Sequence, residues 1–220
     1  SINFKFNSAA IKTFSNLNLK INKNKMIGII GESGAGKTTL IKILLGLIKP
    51  NSGKILVDGK NLNYKKKENY YLLYSYLPQE NLFIPGTIKE NIAFGQDNIN
   101  TEKVLEVLKE TNCMKFVKNL KKNINSEIIE NGKNFSVGQL QRFALARALY
   151  FESEILILDE PTSALDKNSE NKFLKLIKKL KKKKTIIIIS HKSTSLKDCD
   201  KVYKMSQNRL ISTTIKHHSI

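Results

Sequence analysis

The sequence predicts an α/β fold with a parallel sheet at its centre, an antiparallel β portion and an inserted α-helical subdomain. Three apolar runs lack the alternation of half-exposed strands: residues 26–30, 155–158 and 185–190. Such runs are typical of strands that helices cover on both faces. Each run leads directly into a glycine-rich or polar segment, beginning at Gly31, Asp159 or His191. Because ligand-binding groups of parallel sheets gather beyond the carboxyl ends of the strands, we expect these segments to lie together.

Weaker patterns fill the rest of the chain in order. Short strand-like segments separated by turn signals occur at residues 2–6, 17–21, 54–57 and 72–77. Between about 80 and 150 this signal vanishes, and helical periodicity appears in segments 101–111 and 139–150. A further amphipathic helix carries Phe173, Leu174, Ile177 and Leu180 on one side. No internal repeat is evident.

These patterns predict one domain over residues 1–220 with two parts. Residues 1–79 and 150–220 form the α/β core with its β portion, and residues 80–149 form the helical subdomain. The chain starts without Met in an alternating pattern, which suggests a domain of a longer polypeptide. No apolar stretch approaches the roughly 18–20 residues that a membrane-spanning helix needs.

The basic charge comes almost entirely from lysine. The formal net charge is +19, but only three of the 38 basic residues are arginine. Nucleic-acid sites favour arginine with interleaved aromatic residues, so we expect no nucleic-acid partner. The densest block, residues 178–184, ends the amphipathic helix, where cations suit the helix dipole. Attraction to an anionic membrane surface stays open as the alternative.

The two cysteines, Cys113 and Cys199, have no metal-binding or disulfide-framework spacing. This arrangement predicts ordinary free thiols in a reducing compartment. No signal peptide pattern opens the sequence.

Residues 31–38 read Gly-Glu-Ser-Gly-Ala-Gly-Lys-Thr and match a complete phosphate-binding loop between a predicted strand and helix. Loop and helix-start N–H groups converge on phosphate oxygens, and the glycines let backbone approach the ligand. Lys37 is placed for the β and γ phosphates of a nucleotide, and the Thr38 hydroxyl for Mg²⁺. The expected nucleotide contacts are Gly31, Glu32, Ser33, Gly34, Ala35, Gly36, Lys37, Thr38 and Thr39.

A second apolar run ends in two carboxylates, Asp159 and Glu160. Together with a phosphate loop, such a pair predicts nucleotide hydrolysis. Asp159 is expected to hold Mg²⁺, directly or through water. Glu160 is expected to orient and polarise the water that attacks the γ-phosphate.

The segment from Phe135 to Arg142 reads Phe-Ser-Val-Gly-Gln-Leu-Gln-Arg. With the two motifs above, it resembles the nucleotide-binding domains of ATP-binding cassette (ABC) transporters, whose signature is Leu-Ser-Gly-Gly-Gln. Ser136, Gly138 and Gln139 match the signature, whereas Phe135 and Val137 depart from it. The resemblance implies the ABC ATPase fold, a RecA-like P-loop core with an inserted helical subdomain. It also implies ATP and Mg²⁺ as ligands and a second nucleotide-binding domain as dimer partner.

The resemblance extends to four further positions. Gln79 matches the Q-loop, which senses Mg²⁺ and the water and contacts the transmembrane partner. Asp166 ends Ser-Ala-Leu-Asp, which matches the D-loop of the dimer interface. His191 matches the switch histidine that contacts the γ-phosphate. Phe6 stands where the family stacks an aromatic ring on adenine, although a strand core residue is an equally good interpretation of Phe6.

The exporter class is indicated by residues 81–95, Asn-Leu-Phe-Ile-Pro-Gly-Thr-Ile-Lys-Glu-Asn-Ile-Ala-Phe-Gly. Residues 126–132 are similar to the exporter X-loop, in which Glu130 and Gly132 match and Ile129 replaces glycine. This similarity implies a fused or associated transmembrane domain and a place at the cytoplasmic face of the inner membrane. We expect Gln79, Phe83 and Glu130 to face that domain.

Residues 193–203 resemble bacterial flippases of lipid-linked oligosaccharides, which suggests a lipid or lipid-linked sugar as substrate. The alternative function is a soluble ABC ATPase that acts on ribosomes or nucleic acid. That class usually carries two cassettes and lacks the Gly-Thr-Ile-Lys-Glu-Asn-Ile pattern. A DNA-repair ATPase would carry a large insertion between the phosphate loop and the signature, and here that interval is only about 100 residues. A catalytically dead cassette is disfavoured because Lys37, Asp159, Glu160 and His191 are all present.

Overall fold

The computed structural model describes residues 2–4, 14–62, 73–206 and 209–213. The predicted adenine contact Phe6 lies outside the described residues. The strands are β1 (Ile2–Phe4), β2 (Phe14–Leu17), β3 (Met26–Gly31), β4 (Ser52–Gly53), β5 (Leu56–Val57), β6 (Lys60–Asn61), β7 (Tyr74–Leu77), β8 (Gly86–Thr87), β9 (Glu127–Ile128), β10 (Ile155–Asp159), β11 (Thr185–Ser190), β12 (Lys201–Ser206) and β13 (Arg209–Thr213). The α-helices are α1 (Lys37–Leu44), α2 (Ile88–Ile92), α3 (Thr101–Glu110), α4 (Met114–Val117), α5 (Val137–Tyr150) and α6 (Lys167–Leu180).

The central sheet has the strand order β13-β12-β3-β11-β10-β7. Five neighbouring strands run parallel, and β13 pairs antiparallel with β12 at one edge. A separate antiparallel sheet has the order β2-β1-β4. The predicted combination of a parallel sheet with an antiparallel β portion is therefore confirmed.

Two hydrophobic cores cover the two faces of the central sheet. In β11, Ile186 and Ile188 join one core, whereas Ile187 and Ile189 join the other. Helices α2, α3, α5 and α6 contribute to the first core, and α1 and the small antiparallel sheet to the second. This two-sided burial explains why the strand sequence is continuously apolar.

Three parts of the sequence prediction were wrong. The strand expected at 17–21 lies instead at β2, and Leu19 and Ile21 pack against a core without strand pairing. A two-residue ladder of β8 and β9 interrupts the helical region between 80 and 150. Strands β12 and β13 were not predicted, because the alternation of β12 is broken where Val202 and its neighbour Tyr203 are both buried.

The lysine block at the end of α6 is largely engaged within the protein. Lys178 pairs with Asp198 at 2.6 Å, and Lys183 pairs with Glu110 at 3.0 Å. Lys181 pairs with an Asp200 oxygen at 2.6 Å, and the Lys184 ammonium donates to the Ser153 carbonyl oxygen. The block therefore ties the end of α6 to neighbouring loops and to the end of α3. Among the described residues, no helix is long and apolar enough to cross a bilayer.

Candidate functional site

An open cleft of about 510 Å³ lies at the carboxyl edge of the central sheet. Its lining consists of residues that the sequence motifs single out: Ser33, Gly34, Gly36, Lys37, Thr38, Thr39, Gln79, Asp159, Glu160 and His191. They follow four adjacent strands, β3, β7, β10 and β11. The parallel topology thus brings together segments that are up to about 160 residues apart in the chain.

The phosphate-loop sequence forms a left-handed turn before α1. Gly34 and Gly36 have φ angles of 78° and 96°, which side chains with a Cβ rarely adopt. Gly36 occupies the N-cap position of α1 and supplies no side-chain acceptor for the first-turn N–H groups. These N–H groups, together with the helix dipole, favour an anion at this end. The Lys37 ammonium donates to the carbonyls of Gly31 at 2.7 Å and Glu32 at 2.9 Å, which holds the charge beside the loop.

Packing against β12 already requires glycine at position 31. A Cβ on Gly31 would lie 2.9 Å from the carbonyl oxygen of Met205 in β12. This packing is a reason for Gly31 that the motif alone does not indicate, and its contact with the nucleotide stays a prediction.

Asp159 ends β10 as a largely buried carboxylate facing the cleft. The hydroxyl of Tyr76 in β7 donates to Asp159 Oδ2 at 3.1 Å. Burial raises the pKa of the Asp159 carboxyl, and the Tyr76 hydrogen bond partly opposes this effect. Burial and the neighbouring Asp159 charge raise the pKa of the Tyr76 hydroxyl well above its ordinary value.

Glu160 occupies a strained backbone position next to Asp159. Its φ of 45° lies in the left-handed region, which non-glycine residues seldom adopt. Its amide donates to the Ile189 carbonyl at 2.8 Å, which ties the position to β11. The carboxylate, whose side chain is 8% exposed, accepts from the His191 amide at 2.9 Å and the Ser190 hydroxyl at 3.2 Å. The buried carboxylate is therefore fixed at the end of β11.

Lys37, Thr38, Asp159 and Gln79 provide the donor set that a Mg²⁺–nucleotide complex needs. Among the described residues, no group of three His, Cys, Asp or Glu side chains could hold a metal on its own. This suits Mg²⁺, which usually takes one or two protein carboxylates and completes its shell with water and phosphate oxygens. A hydroxyl, a buried carboxylate and an ammonium around a cleft of this size fit the polyphosphate and its ion.

The signature residues do not line this cleft. Ser136 is the N-cap of α5. Its hydroxyl accepts from the backbone amide of Gln139, and the side-chain oxygen of Gln139 accepts from the backbone amide of Ser136. Val137, 53% exposed, is the first helical residue, so its branched side chain meets solvent. Asp166 likewise caps α6, accepting from the amides of Asn168 and Ser169 at 3.0 Å each.

The exporter-like segment differs from its prediction at one residue. Phe83 is only 4% exposed and packs beneath the Arg147 guanidinium, so it does not face a partner. Its neighbours Leu82 and Ile84 are exposed instead, at 73% and 46%. Glu130 is exposed in a short turn, as expected for an accessible loop.

Sequence reasoning missed Tyr76 and Ser190, which contact Asp159 and Glu160. Both lie in predicted strands, close to a predicted functional residue. A strand position near Gln79 or His191 was the available signal, but it does not indicate which face of the sheet the side chain occupies.

Residues 14–163 match the family model described as ABC transporter. A protein of Rickettsia prowazekii (strain Madrid E), named as an export ATP-binding/permease protein, is 38% identical over 213 residues, 96% of this chain and 37% of the relative. The alpha-hemolysin translocation ATP-binding protein HlyB of Escherichia coli O157:H7 is 35% identical over 220 residues, 100% of this chain and 31% of the relative. The chain thus spans about a third of the length of these curated relatives.

The fold is also similar to a solved structure of a bacterial Atm1-family ABC exporter with ATP bound. The TM-score is 0.85 at 29% sequence identity, over 95% of this chain and 36% of that chain.

Proposed function

The chain belongs to the ABC transporter family, as an ATP-binding domain of the exporter type, and we propose that its ATP hydrolysis powers export through a transmembrane domain. The observation that carries this proposal is the single cleft that joins Lys37, Asp159, Glu160 and His191. A cationic loop, an acidic strand end and a histidine around one cleft suit phosphoryl transfer to water.

Each group at the cleft has a separate proposed role. The loop amides and Lys37 bind the β and γ phosphates, and Thr38, Asp159 and Gln79 hold Mg²⁺, which neutralises charge on the phosphates. Glu160 orients the attacking water, and its fixed carboxylate avoids reorganisation during the reaction. His191, which lies beside Glu160, contacts the γ-phosphate. Phe6 remains the proposed adenine contact.

A second nucleotide-binding domain completes the site in this proposal. Ser136, Gly138 and Gln139 begin helix α5, whose N–H groups suit an anion, yet they do not line the cleft of their own chain. A partner domain arranged head to tail would place its signature residues over this γ-phosphate position. Asp166 would lie at the same interface.

An exposed apolar surface is the proposed docking site for the transmembrane domain. It consists of Leu82, Ile84, Phe94 and Ile129, which are between 46% and 73% exposed. Pairing of β8 with β9 joins the two segments that carry these residues. The proposed occupant is a helix of the transmembrane domain, since relatives about three times as long are named ATP-binding/permease proteins. The proposed location of the domain is therefore the cytoplasmic face of the membrane.

The proposed substrate is a lipid or lipid-linked oligosaccharide, on the similarity of residues 193–203 to flippases of that class. Within this segment, Ser195 and Leu196 are buried in the domain. A polypeptide is the second candidate, because relatives at 34% and 35% identity are named for leukotoxin and alpha-hemolysin translocation.

The ATP proposal is tested by isothermal titration of Mg-ATP into wild type, Lys37→Ala and Lys42→Ala. Lys42 is exposed in the same helix and does not line the cleft, so it is the matched control. Loss of the Lys37 charge should weaken ATP binding at least about tenfold, whereas Lys42→Ala should bind as wild type does. Equal affinity of all three proteins would refute the assigned phosphate site.

The transport proposal needs the full-length protein in lipid vesicles. ATPase activity is measured with and without lipid-linked sugars, with unfolded polypeptide, and separately with RNA or DNA. Stimulation by a lipid or polypeptide substrate supports export and separates the two substrates. Stimulation by nucleic acid alone, with a steep salt dependence, would instead support the soluble ABC ATPase.

A further inference from the structure

We infer that Gln141 is a positioning residue for ATP hydrolysis, which fixes the Gln79 loop relative to Glu160. This inference rests on the proposed roles of Gln79 and Glu160 in the reaction. Gln141 lies in α5, and it is 8% exposed and outside the lining of the cleft. Its effect on the reaction would therefore be indirect, through the two loops it holds.

The Gln141 side chain joins segments that adjoin the two proposed catalytic residues. Its Nε2 donates to the Pro161 carbonyl at 2.7 Å, and Pro161 directly follows Glu160. Its Oε1 accepts from Asn81 Nδ2 at 2.8 Å, and Asn81 lies two residues after Gln79. One buried amide thus bridges positions that are 80 residues apart in the chain.

The chemistry of the partners fixes the orientation of both amides. The Pro161 carbonyl can only accept, so Gln141 must present its NH₂ group there. The Gln141 oxygen then faces Asn81, which must present its own NH₂ group. The bridge has a single arrangement, and a side chain without both a donor and an acceptor cannot reproduce it.

The bridge matters at Glu160 because that residue has an unfavourable backbone conformation. A φ of 45° persists only where the surrounding structure determines it on both sides. On one side, the Glu160 amide is bonded to Ile189. On the other, Pro161 has no N–H, and two described bonds hold the chain: Gln141 donates to the Pro161 carbonyl at 2.7 Å, and the Ser163 amide donates to the Glu160 carbonyl at 3.1 Å. Without the Gln141 bond, the backbone after Glu160 loses one of these two ties, and we expect the strained position to relax and the carboxylate to shift relative to His191.

The same helix begins with the signature residues Ser136–Gln139, about one turn before Gln141. Gln141 therefore connects the N-terminal part of α5 to both loops. Asn81 is half-buried, whereas Gln79 is exposed, and the bridge anchors the Gln79 loop two residues after Gln79, as the pairing of Leu77 with Leu158 anchors it two residues before.

A double-mutant cycle of Asn81→Ala and Gln141→Met tests the inference in the whole chain. Met has nearly the shape of Gln but forms neither bond. We expect Gln141→Met to lower kcat about ten- to a hundredfold, with KM for ATP changed less than about twofold. Asn81→Ala should lower kcat to a smaller extent and add nothing in the Gln141→Met background.

Gln96→Met is the control, because it removes an exposed amide whose bond to Gly95 is local. Titration of Mg-ATP and thermal unfolding accompany each variant, since a merely structural role would lower stability and leave kcat per folded molecule intact. Asn81→Ala alters a half-buried loop residue and keeps the test decisive if Gln141→Met does not fold.

The outcomes separate the two levels of the argument. Unaltered kcat in Asn81→Ala and Gln141→Met, with an active wild type, would overturn the positioning role alone. A double variant whose loss of kcat equals the combined losses of the two single variants would also count against the bridge. An inactive wild type that fails to bind ATP would instead overturn the proposed function.

Discussion

The imidazole Nδ1 of His191 lies 2.8 Å from Oε2 of Glu160, and the amide of the same histidine donates to Oε1 at 2.9 Å. The His191 side chain is 55% exposed, whereas that of Glu160 is 8% exposed. A single residue therefore holds both oxygens of a buried carboxylate and still presents its ring to the cleft. The backbone amide and the imidazole of His191 thus contact two different oxygens of Glu160.

Glu160→Gln should slow hydrolysis while ATP stays bound. Gln keeps an oxygen that can accept from the His191 amide, but it lacks the negative charge of the carboxylate that orients the attacking water. We therefore expect kcat to fall about 100-fold or more. Trapped ATP should then favour the dimer over the monomer. Size analysis with Mg-ATP, compared with nucleotide-free protein, measures this change.

Glu152→Gln is the control for that experiment, since this carboxylate is exposed and does not line the cleft. An equal dimer fraction in Glu160→Gln with and without Mg-ATP would contradict the head-to-tail arrangement. Retained wild-type hydrolysis would contradict the role of Glu160 itself.

Functional groups that follow apolar strands could be predicted from the sequence. Asp159 and His191 each end a run of isoleucine and leucine, and parallel pairing of those runs forces them to one edge. The phosphate loop is contiguous, so its glycines and Lys37 identify it without knowledge of the fold. These residues define the cleft because local sequence and topology agree.

Partners across long sequence intervals could not be predicted. Tyr76 and Asp159 are 83 residues apart, and Gln141 and Asn81 are 60 apart. Nothing in the sequence around Phe83 shows that it packs inward under Arg147 while Leu82 faces out, since this segment has neither helical nor strand periodicity.

Gly132 shows how a resemblance can identify a residue without giving its reason. Its φ is 72°, and a Cβ there would collide with the Leu140 side chain of α5. The segment that resembles the X-loop thus packs directly against helix α5. Sequence similarity marks the glycine, but only the fold places Leu140 against it.

Arg147 should be the main support of the exposed apolar surface that we propose as a docking site. Its guanidinium donates to the Leu82 carbonyl at 2.8 Å and the Asn91 carbonyl at 2.7 Å, and lies 4.7 Å from the centre of the Phe83 ring. Lysine cannot reproduce this planar fork. We expect Arg147→Lys to lower the free energy of unfolding by about 1–3 kcal/mol, measured by urea denaturation.

Arg209→Lys is the matched control, because Arg209 is exposed in the edge strand β13. It should leave the unfolding free energy within about 0.5 kcal/mol of wild type. In the full-length protein, Arg147→Lys should also weaken stimulation of ATPase activity by substrate. Equal free energies of unfolding for the two arginine variants would show that the Arg147 guanidinium contributes nothing measurable to stability.

Asp200 should give the protein a stability that depends on pH. Its Oδ2 accepts from the Met26 amide at 2.7 Å, and its Oδ1 lies 2.6 Å from the Lys181 ammonium. Burial alone would raise the pKa of Asp200, but Lys181 and the Met26 amide outweigh it and hold the pKa below its ordinary value. The folded state therefore favours the carboxylate form.

The sign of the pH dependence follows from this lowered pKa. The stabilisation is complete above the unfolded pKa of about 3.9 and is lost as pH falls through the lower folded pKa. Asp200→Asn should therefore lower the free energy of unfolding by about 1 kcal/mol at pH 7. The difference from wild type should shrink below about pH 4, as the wild-type carboxylate takes up a proton. Urea unfolding at a series of pH values measures this difference, with the exposed Asp97→Asn as control. A difference that stays constant from pH 7 down to pH 3 would show that the charge of Asp200 does not stabilise the fold.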